Sequence, residues 1–328
     1  MTSDTLHTSG GFHLREFRVE DLVAVTSVLN ATYPDEPTTL EEQEHWERVY
    51  PADNPRLRLA VETEAGEFVG FGQCMKPYWL DAAGVYTVYA VVAPPWRRRG
   101  IGQALLARLE PFAVAQGAQR IHAPDCREDF VGTSRFLDRA GYVNIGVRFE
   151  QKLDLEAFDE TPFAGVFQRV AEGGYALTTL AAERAVRVDA DQALFAVADS
   201  VSPEVPLPGD VHIRLTYNDF VQSTLEGPST DPAAIFVARQ GEIYVGMTAV
   251  SVPQDGPAIT NATYVLPAYR RRGLALALKL LSFRFLRARG YTEARTHNDT
   301  VNPPILRLNE RLGYQRLPGW LVWEKRLT

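Results

Sequence analysis

Two stretches of the sequence combine residue types that capture a diphosphate. They run Val92-Ala93-Pro94-Pro95-Trp96-Arg97-Arg98-Arg99-Gly100-Ile101-Gly102 and Val265-Leu266-Pro267-Ala268-Tyr269-Arg270-Arg271-Arg272-Gly273-Leu274-Ala275. In each, a strand-like apolar run ends at proline, an aromatic follows, and three arginines and a glycine open a segment of helical periodicity. A helix N-terminus presents unpaired N–H groups and the positive end of its dipole, and Gly or Ala lets a phosphate approach the backbone. Flanking guanidinium groups add charge-assisted hydrogen bonds. One such string is weak, since ordinary residue frequencies give roughly one chance match in a chain of this length. Two with the same flanks are stronger. The other reading of the arginines, a solvated basic face or nucleic-acid patch, needs neither the strand before them nor the glycine after them.

The elements that must position these turns repeat with them. A spacing of 173 residues carries Pro94 to Pro267, Trp96 to Tyr269, Leu105 to Leu278 and Gly117 to Gly290, and a spacing of 172 carries Gly141-Tyr142 to Gly313-Tyr314. A repeat of domain size is a duplication, not a solenoid. In the first copy the pattern predicts a strand over 12–17, a helix over 20–30, a connection over 34–54 and strands over 57–63, 68–75 and 85–92. A helix over 101–115, kinked at Pro111, then precedes a strand over 119–123, a helix over 134–139 and a strand over 143–153. The second copy predicts a strand over 175–181, helices over 191–200 and 219–225, and strands over 234–239, 243–252 and 259–266. A helix over 271–287, a strand reaching Thr296, a helix over 304–312 and a pair of strands ending at Leu327 complete it. The order implies an α+β fold, with one domain over 10–158, a connector over 159–174 and a second domain over 175–328.

Composition narrows the function. Apolar residues make up 45% and charged residues 23%, the balance of a globular protein. A formal charge of −7 argues against nucleic acid as a partner and suits a cationic small molecule. Acidic residues crowd the variable segments, at Asp35-Glu36, Glu41-Glu42-Gln43-Glu44, Asp219 and Glu226, where a cationic acceptor would be drawn. The polar start shows no secretory signal, and no apolar run reaches membrane-spanning length, so a cytoplasmic protein with no membrane partner is expected. Two cysteines, Cys74 and Cys126, suggest neither a disulfide framework nor a metal site, and no metal is expected.

At the two turns the sequence resembles the GNAT superfamily of N-acetyltransferases, whose motif reads Arg or Gln, two residues, Gly, one residue, then Gly or Ala. The resemblance covers nearly the whole chain, twice, in a tandem layout similar to mycothiol synthase-like proteins. It implies two tandem GNAT-type domains, each with a mixed, mostly antiparallel central sheet flanked by helices, and acetyl-CoA as co-substrate. It further implies that the cofactor diphosphate is held by Arg97, Arg98, Arg99, Gly100, Ile101 and Gly102 in one copy. Arg270, Arg271, Arg272, Gly273, Leu274 and Ala275 match them in the other. Val92 and Val265 match the strand that binds the pantetheine. Asn302 matches a cofactor-contacting Asn at the start of the following helix; the first copy has Phe130 there. The C-terminal half is therefore favoured as the catalytic one.

The implied reaction is attack of a primary amine, on a small molecule or peptide, at the acetyl thioester, with the oxyanion held by backbone N–H groups. An alkyl amine with a pKa near ~10 needs a base. Thr263, His297, Asn298 and Asp299 are the candidates for acceptor activation. Many family members place a Tyr acid four residues before the glycine of the second landmark, where this chain has Leu137 and Asn309. A thiolate of pKa around ~8.5 leaves without much help, and Asn309 could hydrogen-bond the sulfur. A non-catalytic acyl-CoA-binding or sensing protein is the alternative. A dinucleotide-binding oxidoreductase is disfavoured because Leu105 stands where its third glycine would be. A monomer or homodimer is expected.

Overall fold

The computed structural model describes Leu6–His7 and residues 11–327. The first repeat runs β1 (Leu6–His7), β2 (Phe12–Glu16), α1 (Leu22–Thr32), α2 (Leu40–Val49), β3 (Arg56–Thr63), β4 (Phe68–Met75), β5 (Leu80–Asp81) and β6 (Val85–Val92). It continues with α3 (Ile101–Ala115), β7 (Arg120–Arg127), α4 (Val131–Arg139) and β8 (Val143–Asp154). The second runs α5 (Val166–Glu172), β9 (Ala176–Thr179), α6 (Leu180–Arg184), α7 (Ala190–Val201), β10 (His212–Ile213), α8 (Tyr217–Phe220), β11 (Thr230–Gln240) and β12 (Ile243–Ser251). After these come β13 (Ala258–Val265), α9 (Leu274–Ala288), β14 (Glu293–Asp299), α10 (Pro303–Arg311) and β15 (Gln315–Arg326).

Three local differences from the sequence pattern have plain causes. The segment 34–54 holds the helix α2, started by a reciprocal cap in which Thr39 Oγ1 accepts from Glu42 N at 3.1 Å and Glu42 Oε2 accepts from Thr39 N at 3.0 Å. Helix α9 starts at Leu274 rather than 271, because Arg271 and Gly273 adopt φ of 63° and 82°, which no α-helix tolerates. The expected final pair of strands is the single strand β15. Among the described residues no helix is long and apolar enough to cross a membrane.

The chain packs as two compact units whose borders are not those of the repeats. The first holds the described residues up to Tyr78, then Ala82–Ile145 and those from Trp320 onward; the second holds Trp79–Asp81 and Gly146–Gly319. In the first unit the strand order is β1-β2-β3-β4-β6-β7, closed by the 320–326 part of β15, and only the β6/β7 pair is parallel. In the second, the 146–154 part of β8 leads the order β8-β14-β13-β12-β11-β9, and only β13/β14 is parallel. Each unit thus takes its last strand from the other repeat. Trp323 accordingly sits in the first core, and Leu153 in the second. The segment read as a connector also belongs to the second unit, where Phe163, Val166 and Val170 are core residues.

The parallel pairs are short. Residues 85–87 of β6 pair with 120–122 of β7, and 258–260 of β13 with 294–296 of β14, after which the strands part. In β13 an extra residue, Asn261, falls opposite the Ala249–Val250 step of β12. Such a bulge bends its strand, here just past the last parallel pair. The rest of β13, up to Val265, is left with one unpaired edge facing a wedge.

Candidate functional site

Both turns have the same backbone. A 3-10 turn, Pro94–Trp96 or Pro267–Tyr269, leaves the strand. Arg97 Nε then donates to Val92 O, and Arg270 Nε to Val265 O, each at 3.1 Å. The first arginine of each triplet is therefore spent closing the loop on its own strand. Arg98 and Gly100 take φ of 67° and 84°, matching Arg271 and Gly273. Alternating left-handed residues gather successive N–H groups into an anion-binding concavity. Ile101 and Leu274 are buried, which pins the first turn of α3 and α9, and no side chain caps either helix. Gly102 and Ala275 follow in that first turn, whose free N–H groups suit a phosphate. Arg272 donates to Tyr175 Oη at 2.6 Å and Ala268 O at 3.1 Å, and Arg99 lies 4.3 Å over the Trp96 ring. Gly273→Ala should cost about 1–2 kcal/mol in thermal or denaturant melts, because a Cβ is disfavoured at this φ.

The wedges beyond the two turns differ sharply. Phe130 N donates to Arg127 O, and Asn302 N to Asp299 O, both at 3.0 Å, so Phe130 matches Asn302 and Arg127 matches Asp299. In the first unit the Phe130 ring stacks on Tyr33 at 5.7 Å, with the Arg97 guanidinium 5.3 Å from it, and Tyr33 packs on Trp320. Arg127, almost wholly buried, pairs with Asp35 at 3.0 Å, Glu36 at 3.3 Å and Asp129 at 3.0 Å. Rings fill this wedge and an ionic latch closes it. Asp35 and Glu36, where a cationic acceptor is expected to be drawn, are thus engaged by Arg127. Glu42 and Asp219 are likewise held in the caps of α2 and α8.

The second unit keeps its wedge polar. Asp299, at the end of β14, is buried, which pushes its carboxyl up to about 6 against the opposing pull of Arg148 on the neighbouring strand. His297 is pushed down to about 3, first by burial and then by Arg148 and Arg295, so it is neutral at pH 7. Asn309 Nδ2 and Asn298 Nδ2 both donate to Gln151 Oε1, at 2.9 and 3.3 Å. Asn309 is fully buried, and its Oδ1 has no hydrogen-bond partner among the described residues. Thr263 Oγ1 accepts from Thr248 Oγ1 at 3.2 Å. Asn302 precedes α10, and its side chain makes no cap bond.

Of the residues expected to be catalytic, Thr263, His297, Asn298 and Asn309 do not form one cluster. Asn298 and Asn309 meet on Gln151, whereas His297, adjacent to Asn298 in a strand, projects from the opposite face. Gln151 and Arg148 escaped the sequence reading because they belong to the other repeat and arrive on β8. A signal did exist: at the spacing of 172, Asn309 replaces Leu137 and Gln151 replaces Trp323, two polar-for-apolar changes. Lys279 went unnoticed as well. It lies buried on α9 with Nζ 5.1 Å over the Tyr314 ring, where the first repeat has Leu106 at the spacing of 173.

Comparison with known proteins agrees with the two-repeat fold. A family model described as the acetyltransferase (GNAT) family matches residues 22–142 and 206–314, once per repeat. A mycothiol acetyltransferase of Geodermatophilus obscurus is 29% identical over 245 residues, covering 72% of each chain. One from Clavibacter michiganensis is 29% identical over 271 residues, covering 80% of this chain and 81% of the relative. A tandem GNAT protein from the clavulanic acid biosynthesis pathway superposes with a TM-score of 0.72 at 20% identity, over 96% of this chain and 98% of that one. A GCN5-related N-acetyltransferase from Sphaerobacter thermophilus gives 0.69 at 18% identity, over 98% and 97%.

Proposed function

For this chain, which belongs to the acetyltransferase (GNAT) family, we propose transfer of the acetyl group of acetyl-CoA to a primary amine of a small molecule, with the chemistry in the C-terminal unit. One contrast carries the choice of unit. The second unit has Asp299, Asn302 and Asn309 at the positions where Arg127, Phe130 and Leu137 stand in the first. The turn at Gly273 holds the diphosphate on the N–H groups of α9, and the acyl arm runs along the free edge of β13. Backbone N–H groups of that edge stabilise the oxyanion. The base is Asp299 rather than His297. A carboxyl near 6 is ionised at neutral pH and still basic, while an imidazole near 3 is too weak to take the amine's proton. The amine nitrogen bonds to the acetyl carbon, the C–S bond breaks, and the electron pair leaves on sulfur.

The relatives named mycothiol acetyltransferase make a mycothiol-related amine the first acceptor to test. Gly273→Trp should abolish CoA release and lower the acetyl-CoA binding stoichiometry, while Gly100→Trp should leave turnover near that of the parent. Equal activity in both variants would remove the assignment to the C-terminal unit. The non-catalytic acyl-CoA-binding reading rests on the missing Tyr acid at Leu137 and Asn309. It predicts saturable binding with no CoA release across an amine panel.

A further inference from the structure

Both units keep a guanidinium at the far end of the second parallel strand, β7 or β14, but they supply it from different strands. In the first unit the register pair at this end is Arg127 on β7 with Trp320 on β15, the guanidinium 5.5 Å from the ring. In the second it is Asp299 on β14 with Arg148 on β8. At the spacing of 172, Asp299 corresponds to Arg127, Val301 to Asp129 and Trp320 to Arg148. The acid has moved from the loop onto the strand, and the cation has moved to the strand exchanged from the other repeat. The three changes compensate, since a guanidinium still faces a carboxyl in each unit.

An arginine can do different things in these two places. Arg127 grips its acids directly, Asp129 at 3.0 Å among them. Asp299 is buried, and among the described residues no hydrogen bond or ion pair engages its carboxyl. Residues directly opposite in an antiparallel pair share a face, with Cβ atoms about 4.5–5.5 Å apart, so Arg148 is the cross-strand neighbour of Asp299. Of the next ionisable groups along this face, His297 is neutral at pH 7, and Glu150 opposite it accepts from Arg295 at 2.9 Å. A guanidinium in direct contact would draw the carboxyl down by about 1–3 units and occupy the oxygens that must take a proton. With no guanidinium nearby, desolvation alone would keep the acid protonated toward neutral pH. Arg148 acts between these extremes, opposing burial so that the acid titrates at about 6. Resting on the proposed role of Asp299 as base, we infer that Arg148 is a positioning residue, whose guanidinium favours the carboxylate of Asp299 across the strand pair while leaving its oxygens unoccupied. The exchanged strand thus completes a site whose other residues come from the second repeat.

Asp299 can be titrated without turnover, by NMR of the full chain isotopically labelled at the aspartate carboxyls, its signal being the one lost in Asp299→Asn. The midpoint should lie near 6 in the parent. Arg148→Met should raise it by about one unit, and Arg148→Lys, which keeps the charge, should restore most of the difference. Arg148→Gln serves if Arg148→Met does not fold. A midpoint that stays in place when the charge is removed, or that moves equally in Arg148→Lys, overturns the inference. CoA release from acetyl-CoA with a mycothiol-related amine separates this role from that of the base. Its acid limb should move up with the midpoint in Arg148→Met, a change that loss of packing alone would not produce. An acid limb that persists in Asp299→Asn overturns the base and the role of Arg148 with it. A limb that vanishes there yet does not move in Arg148→Met overturns the role of Arg148 alone.

Discussion

Lys279→Met is expected to raise the stability of the protein at pH 6 by several kcal/mol. Lys279 is buried among the apolar residues of the second core, and burial pushes its ammonium down to about 7 from 10.5. Between these two values the unfolded chain holds a proton that the folded chain does not, so native stability rises with pH across the window from about 7 to 10.5. Below pH 7 both states are protonated and the whole cost of burying the charge is felt. A shift of this size corresponds to roughly 5 kcal/mol, and contact with the Tyr314 ring returns only part of such a cost. Methionine fills similar space with no charge. Melts of parent and variant from pH 6 to 10 should therefore differ most at the acid end, by on the order of 10 °C, and converge toward pH 10. Parallel curves, or a variant less stable at pH 6, would show that Lys279 is satisfied by something other than solvent-free burial.

Asp299→Asn should lower kcat by about 10²–10⁴-fold, the usual contribution of a positioned base. Its carboxyl, raised to about 6 by burial, must be ionised to accept the proton, so activity of the parent should fall as pH drops through 6. The variant should lack that acid limb. Stability should move the opposite way. A carboxyl whose folded pKa lies above its ordinary value of 3.8 destabilises the native state progressively as pH rises from about 4 to 6, and the cost is complete at pH 7. Removing the charge should then stabilise the native state at pH 7 by roughly 3 kcal/mol. A variant that is more stable and much less active separates loss of a base from loss of the fold. If instead the variant kept the parent's pH profile, another group would be the base.

Much of this protein is legible from residue order. The two turns, their glycines and the domain-sized spacing between them follow from local rules, because a left-handed backbone before a helix needs Gly at one position and periodic apolar residues on either side. The tandem GNAT architecture follows from the same turns, and the matching family model and tandem relatives bear it out. The contrast between Asn302 and Phe130 is equally visible in the repeat. Segment 34–54 was harder, since the charged helix α2 has a weak apolar stripe and its cap, Thr39 with Glu42, is a short signal.

Other features depend on contacts between residues far apart in the chain, which no local pattern encodes. Both β8 and β15 are strands by composition, yet which sheet each completes is decided by whether Trp323 or Leu153 fits the receiving core. That choice brings Gln151 and Arg148 to the second unit, and Trp320 to the ring cluster of the first. The same holds for charge. Asp35 and Asp299 look alike as letters, but the first is exposed and paired with Arg127, while burial raises the second to about 6 against the pull of Arg148. The sequence by itself determined the fold and the place of the two arginine–glycine turns, because those rest on backbone conformation and periodicity. Only the tertiary structure decided which strand completes each sheet, which acids are ion-paired and which carboxyl is raised by burial, because desolvation and long-range pairing are properties of the packed chain.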